Sequence, residues 1–146
     1  MASPLRKLRA RILKAGFRAH AELYERSDGR LGAWAGLPTL LLTVTGRKTG
    51  VARSTPLVYF DGGRYVVVGS DGAARNDPQW WKNLQVDPRA TVRVGRDKFP
   101  VTASLAMGDE RARLWERGGE VNPMWKRYQT RTPRELPVVI FTRGAG

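Results

Sequence analysis

Three cations lie on or beside a glycine-flanked turn between two predicted strands. Arg47 and Lys48 occupy the turn at residues 45–50, and Arg53 follows it. Glycines let a backbone approach a ligand closely and expose its N–H groups. A guanidinium fork matches phosphate or carboxylate oxygens two at a time. The segment is therefore a candidate anion site, although a solvated turn rich in Lys and Arg explains the same residue types.

A loop of small residues leaves another predicted strand at residues 69–74, whose sequence is GSDGAA. Pro78, Trp80 and Asn83 follow it on a predicted short helix. Such a loop can admit a flat ring, with Trp80 as one wall of the site. A tryptophan pair near a helix start is more often core packing, so the residue types alone leave both interpretations open.

Composition restricts the chemistry further. The 146 residues have room for one domain and carry a formal net charge of +13, which calls for an acidic partner: nucleic acid, anionic lipid or a polyanionic small molecule. The chain contains no cysteine and one histidine, His20. Disulfides, cysteine nucleophiles and a histidine cluster for zinc or iron are thereby excluded. We predict no metal site.

Residues 4–26 have the pattern of a basic amphipathic helix, and residues 27–37 that of a polar linker. One interpretation is peripheral association with an anionic membrane; the other is that the apolar stripe docks on the protein while the basic face meets water. No apolar run reaches the roughly 18 residues of a membrane span. The N-terminus lacks a secretory apolar region, so the expected location is the cytoplasm, at the inner face of the cell membrane if the helix binds lipid.

The rest of the chain, residues 38–146, has the two-residue period of strands. Hairpin signals lie at residues 61–63 and 95–97. The pattern predicts an α+β protein built on a small antiparallel barrel. The predicted strands are residues 39–45, 54–60, 64–69, 90–94, 98–105 and 136–142, and the predicted short helices are residues 78–86, 109–117 and 123–128.

Together, these segments resemble the deazaflavin-dependent nitroreductase family of actinobacteria. Residues 43–57 carry TGRKTG-x-x-R-x-x-PL, and residues 65–84 carry Y-V-V-V-x-S-x-G-A followed by P-x-W-x-x-N-L. A weaker similarity continues to residues 136–139, so the resemblance covers about residues 38–143. It implies a six- to seven-stranded antiparallel split β-barrel with the N-terminal helix and short helices packed outside. It also implies hydride transfer from the reduced deazaflavin coenzyme F-420 to an organic acceptor such as a quinone or conjugated carbonyl.

The resemblance assigns roles position by position. For the phosphate and polyglutamate tail it implies the cations Arg47, Lys48 and Arg53. For the phospholactyl and deazaflavin region it implies Thr55, Pro56 and Leu57. For contact with the ring it implies Val68, Gly69, Ser70 and Ala73. Pro78, Trp80 and Asn83 would close that side of the site.

Two departures from the family pattern bear on the substrate. Asp71 stands where the nitroreductase member has a lysine, a contact that Arg75 is placed to replace. The substrate-side segment, tyrosine-rich in that member, keeps only Tyr128 and has Trp125 in place of a tyrosine. We therefore expect quinone reduction rather than nitroimidazole reduction, with Trp125 and Tyr128 at the substrate, and with Ser70 or Tyr128 as the catalytic hydrogen-bond donor to the acceptor oxygen.

Three other functions fit part of the same sequence pattern. An FMN-binding barrel enzyme needs less positive charge, because FMN has one phosphate and no polyglutamate tail. A nucleic-acid-binding module would account for the net charge, but the cations are dispersed along the chain and no RRM or KH signature is present. A coenzyme carrier without turnover would use the same pocket, so the sequence does not separate it from an enzyme.

Overall fold

The computed structural model describes residues 36–60 and 64–144. The predicted helix at residues 4–26, most of the predicted linker at 27–37 and the hairpin tip at 61–63 therefore lie outside the described residues.

The described chain forms six antiparallel strands in one sheet, in the order β2-β1-β4-β5-β6-β3. Every predicted strand is present, with ends displaced by at most two residues. β1 has the predicted bounds because its run of leucine, valine and threonine is uninterrupted up to Gly46. The strands are β1 (Thr39–Thr45), β2 (Ala52–Val58), β3 (Tyr65–Val68), β4 (Arg89–Val94), β5 (Asp97–Leu105) and β6 (Val138–Arg143).

The sheet curls until its two outermost strands approach one another. Just beyond β2, Phe60 exchanges two backbone N–H···O bonds of 3.1 Å with Val66 of β3. On either side of this bridge β2 pairs with β1 and β3 pairs with β6. The result is a barrel that closes at one point and stays open beside it, which confirms the predicted α+β split-barrel class.

Two cores lie on opposite faces of the curled sheet, because successive side chains of a strand point to opposite sides. The inner core contains the buried side chains of Leu42 and Phe141 and is plugged by helix α1 (Gln79–Val86). The outer core contains Val66 and is covered by helices α2 (Gly108–Val121) and α3 (Met124–Thr130).

Helix α2 continues beyond Arg117, where the sequence predicted its end, to Val121. Two glycines, at 118 and 119, lower the helical propensity there. A Cβ atom on Gly118 would lie 3.0 Å from Cζ of Phe60 and 3.3 Å from Cζ3 of Trp125. The glycine lets the helix lie close against the outer core, and this packing outweighs the propensity cost.

Candidate functional site

The two predicted ligand-binding segments both start from the point where the barrel closes. One segment is residues 57–53 of β2, followed backwards along the sequence from the bridge between Phe60 and Val66. The other is residues 69–73, which follow β3. Because the bridge is antiparallel, both segments lead away from it in the same direction. We call the gap between them the split. β2, the terminal strand of the sheet order, lines it on one side.

The β2 side of the split changes in polarity along its length. Arg53, Thr55 and Leu57 lie in register with the inner-core residues of β1 and so face the barrel interior. Arg53 is exposed, Thr55 is half-buried, and Leu57 packs against the inner core. Pro56 is buried on the opposite face of the strand, where its missing N–H is tolerated because β2 is an edge. A cation, a hydroxyl and an apolar side chain thus follow one another into the barrel.

Arg47 is held against helix α1 by Asn83. The Asn83 side-chain oxygen accepts hydrogen bonds from the Arg47 backbone N–H at 3.1 Å and from Arg47 Nη1 at 2.7 Å. Arg47 Nη1 also donates to Oε1 of Gln79 at 3.0 Å. Asn83 is only 7% exposed. The structure therefore brings Arg47 and Asn83 together, with Asn83 orienting the cation and the loop that carries it.

Three other cations near the split have no partner in the described structure. Lys48, Arg53 and Arg75 are exposed, and none forms an ion pair or a side-chain hydrogen bond within residues 36–60 and 64–144. Arg75 lies on the chain between residues 69–73 and Gln79, which itself contacts Arg47. Their positive charge is thus available to an anion.

On the loop side of the split, Gly69 is packed between two prolines. Its N–H donates to the carbonyl of Pro137 at 2.8 Å. A Cβ atom at this position would lie 2.7 Å from Cγ of Pro137 and 3.4 Å from Cγ of Pro78. Any larger residue would push the loop away from β6, so the small size of residue 69 positions this side of the split.

The next turn, Asp71–Ala73, has an uncommon left-handed backbone conformation. Asp71, Gly72 and Ala73 have φ values of 43°, 60° and 65°. Left-handed conformations cost a residue with a Cβ roughly 1–2 kcal/mol and cluster at functional sites. The turn is closed by bonds from Ala73 N–H to the Ser70 carbonyl at 2.9 Å and from Ala74 N–H to the Asp71 carbonyl at 3.1 Å.

Arg134, which sequence reasoning missed, binds this strained segment from outside. Its guanidinium donates to the carbonyls of Gly69, Ser70 and Ala74 and to the carboxylate of Asp77, at distances of 2.8–3.1 Å. The side chain is 14% exposed. No local spacing relates Arg134 to residues about sixty positions earlier in the chain, so the sequence held no signal for this contact.

The predicted aromatic and apolar site residues fill the cores. Trp80 is 8% exposed and packs edge-on against Trp81 and at a tilt against Phe141 in the inner core. Trp125, 4% exposed, contacts the Phe60 ring at a centroid distance of 5.7 Å in the outer core, where Val68 also packs. These positions shape the site mainly by holding the elements around it.

The two predicted catalytic hydroxyls lie on neighbouring elements. Ser70 begins the strained turn and is half-buried; Tyr128 lies on α3, half-buried against the outer core, and α3 contacts that turn. Neither hydroxyl forms a hydrogen bond within the described part of the chain. Both are therefore available as donors to a bound molecule.

The described residues also bear on metal binding and on membrane insertion. No group of three or more His, Cys, Asp or Glu residues lies close enough there to hold a metal ion. No helix in those residues is both long and apolar enough to cross a membrane.

Comparison with known proteins now adds to this geometry. A family model described as F420H2-dependent quinone reductase matches residues 16–143. An F420H2-dependent quinone reductase of Mycobacterium tuberculosis is 39% identical over 132 residues, which are 86% of this chain and 89% of that protein. Among solved structures, F420-H2 Dependent Reductase (FDR-A) superposes with a TM-score of 0.65 at 36% identity, covering 71% of this chain and 93% of its own. Another, described as a domain-swapped dimer, has a TM-score of 0.68 at 30% identity and covers 95% of this chain and 99% of its own.

These matches confirm the predicted activity class and the predicted coenzyme. The family model spans more than half of the chain, and the mycobacterial relative agrees with the resemblance to an actinobacterial family. The chain belongs to the family of F420H2-dependent quinone reductases, oxidoreductases whose cofactor is F-420.

Proposed function

We propose that this protein reduces quinones with F-420 bound in the split between β2 and residues 69–73. The observation that carries the proposal is the change in polarity along β2, from exposed Arg53 through Thr55 to Leu57 at the inner core. A ligand with an anionic tail and a flat ring matches such a change. A uniformly polar or uniformly apolar ligand does not.

The residues present fit both ends of the coenzyme. The phosphate and polyglutamate tail carries several negative charges, and Lys48, Arg53 and Arg75 are exposed cations without a partner in the described chain. Arg47, oriented by Asn83, adds a fourth cation. Each charge-assisted contact contributes about 1.5–3 kcal/mol. We assign these four cations to the tail.

The ring end is assigned to the deeper part of the split. Thr55 and Leu57 face it from β2. The backbone of Gly69, Ser70 and Ala73 faces it from the segment that follows β3. The remaining predicted site residues support these two sides. Pro56 and Val68 pack on the outer faces of their strands, while Pro78, Trp80 and Asn83 hold α1 beneath the opening.

When bound, reduced F-420 supplies a hydride, which together with one proton converts a quinone to a hydroquinone. The chain's own residues orient the acceptor and stabilise charge. The hydroxyl of Ser70 or that of Tyr128 donates a hydrogen bond to the acceptor oxygen as negative charge develops there. The outer core under Tyr128, including Trp125, fixes the position of α3 at the substrate side. Water at the open end of the split delivers the proton.

A fluorescence titration tests the coenzyme assignment. Purified protein is titrated with F-420 and, at the same salt concentration, with FMN; we expect saturable binding of F-420 only. Arg53→Ala should raise the Kd for F-420 about tenfold or more. The matched control Arg113→Ala removes the same charge from the exposed face of α2 and should leave the Kd within about twofold. Binding of FMN alone, or equal losses in both variants, would contradict the proposal.

Turnover separates an enzyme from a carrier that only sequesters the coenzyme. Oxidation of reduced F-420 is followed spectroscopically after addition of a quinone. We expect multiple turnovers with quinone and much slower reaction with a nitroimidazole. A single stoichiometric oxidation, or no reaction with any quinone, would favour a carrier.

We further propose that the enzyme works in the cytoplasm at the inner face of the membrane, where its first 26 residues associate with anionic lipid. The support is the sequence pattern alone, a basic face opposite an apolar stripe. Co-sedimentation with anionic liposomes at low salt, lost on deletion of residues 1–26, is the expected result. Failure to co-sediment would favour docking of the stripe on the barrel.

A further inference from the structure

The strained turn Asp71–Ala73 is bracketed by one side chain. Arg134 binds the carbonyls of Gly69 at 3.1 Å and Ser70 at 2.8 Å before the turn, and the carbonyl of Ala74 at 2.8 Å after it. Conformations of this kind persist only where the surrounding structure over-determines them. The bracketing contacts are the feature that does so here.

The charge of Arg134 is balanced within the same loop. Asp77 accepts from Arg134 Nη1 at 2.8 Å, and its side chain is 33% exposed against 14% for Arg134. A planar guanidinium with five donors can reach three carbonyls and a carboxylate at once, whereas a lysine ammonium cannot span them. The contact set is therefore specific to arginine.

The backbone of Arg134 is itself anchored to the substrate-side helix. Gln129 of α3, the residue after Tyr128, donates to the Arg134 carbonyl at 2.7 Å and accepts from the N–H of Leu136 at 2.9 Å. One residue thus joins the loop that we assign to the ring with the helix that we assign to the quinone. Arg134 therefore couples the position of the loop to that of the helix, in addition to the direct contacts between them.

We propose that Arg134 is a positioning residue that locks residues 69–77 in the coenzyme-receptive conformation before F-420 binds. This inference rests on the proposed function, because it assigns the loop to the deazaflavin ring. Without the guanidinium the strained turn relaxes, and only a fraction of molecules presents the receptive loop. The apparent Kd then rises by the reciprocal of that fraction.

The test compares Arg134→Lys with a matched control, Arg111→Lys. Arg111 is also a mostly buried arginine, 21% exposed; it binds the Leu136 carbonyl at 2.8 Å and Glu135 at 2.7 Å, but none of its described contacts reaches residues 69–77. Hydrogen–deuterium exchange of the amides at 70–76 is measured without coenzyme. The Kd for oxidised F-420, the KM for reduced F-420 and kcat with a quinone complete the readout.

For Arg134→Lys we expect about tenfold faster exchange at residues 70–76, and a Kd and KM for F-420 raised about tenfold, with kcat at saturating coenzyme within about twofold. The control should change these values by less than about twofold, whatever its Tm. Wild-type exchange and Kd in Arg134→Lys, or equal losses in both variants, would overturn the proposal. If Arg134→Lys does not fold, Asp77→Asn replaces it, with the same direction of change expected and a wild-type Kd refuting it. Failure of the wild type to bind F-420 would instead overturn the proposed function and with it this inference.

Discussion

The contact between Asn83 and Arg47 yields a prediction whose size follows from the structure. Replacement of Asn83 by leucine keeps the number and branching of the side-chain heavy atoms but removes the oxygen that accepts from the Arg47 backbone and guanidinium. A neutral hydrogen bond contributes about 1 kcal/mol and one to a charged group about 1.5–3 kcal/mol. Arg47 is half-exposed and keeps its 3.0 Å bond to Gln79, so water offsets part of the loss. We expect the free energy of unfolding to fall by about 2 kcal/mol.

Thermal unfolding measures this loss. For a chain of this length, about 2 kcal/mol corresponds to a decrease in Tm of roughly 4–8 °C. The control is Asn83→Asp, which retains an acceptor for both donors and should stay within about 2 °C of the wild type. This control should nevertheless bind F-420 several-fold more weakly, because the new carboxylate offsets the charge of Arg47.

Two results would refute the reasoning about Asn83. An Asn83→Leu variant with wild-type Tm would show that the two hydrogen bonds contribute nothing to stability. An Asn83→Asp variant as unstable as Asn83→Leu would show that the acceptor oxygen is not the group that matters. Either result would show that Asn83 does not hold Arg47 in place on helix α1.

Three further substitutions test separate features of the site. Lys48→Ala should weaken F-420 binding about tenfold without changing Tm, and the Kd should depend less steeply on salt than in the wild type; an unchanged salt dependence would remove Lys48 from the tail site. Gly69→Ala forces a Cβ to within 2.7 Å of Pro137 and should lower stability by about 1–3 kcal/mol in denaturant unfolding; wild-type stability would show that the loop yields without cost. Tyr128→Phe should lower kcat/KM for quinone about tenfold with the Kd for F-420 unchanged, and an unaltered kcat/KM would exclude Tyr128 as a donor.

Much of the fold followed from local patterns. The strands, the hairpin turn at residues 95–96 and the start of α1 after Pro78 are encoded within short windows, by alternation, by glycine at positive φ and by proline at a helix start. The extension of α2 past Arg117 was missed because it depends on tertiary packing against Gly118, by Phe60 from a distant part of the chain and by Trp125 from the next helix.

The site divides in the same way. The sequence by itself determined which residue types were available to an anion and a flat ring, because Arg47 and Lys48 lie in one turn, Arg53 follows it closely, and small residues follow β3. Only the tertiary structure decided which of them are held by hydrogen-bond partners and which are buried in the cores. Asn83 reaches back 36 positions to Arg47, and Arg134 reaches back 60 positions to Ala74. Such contacts depend on how the sheet curls and where its helices pack, and no local spacing records that.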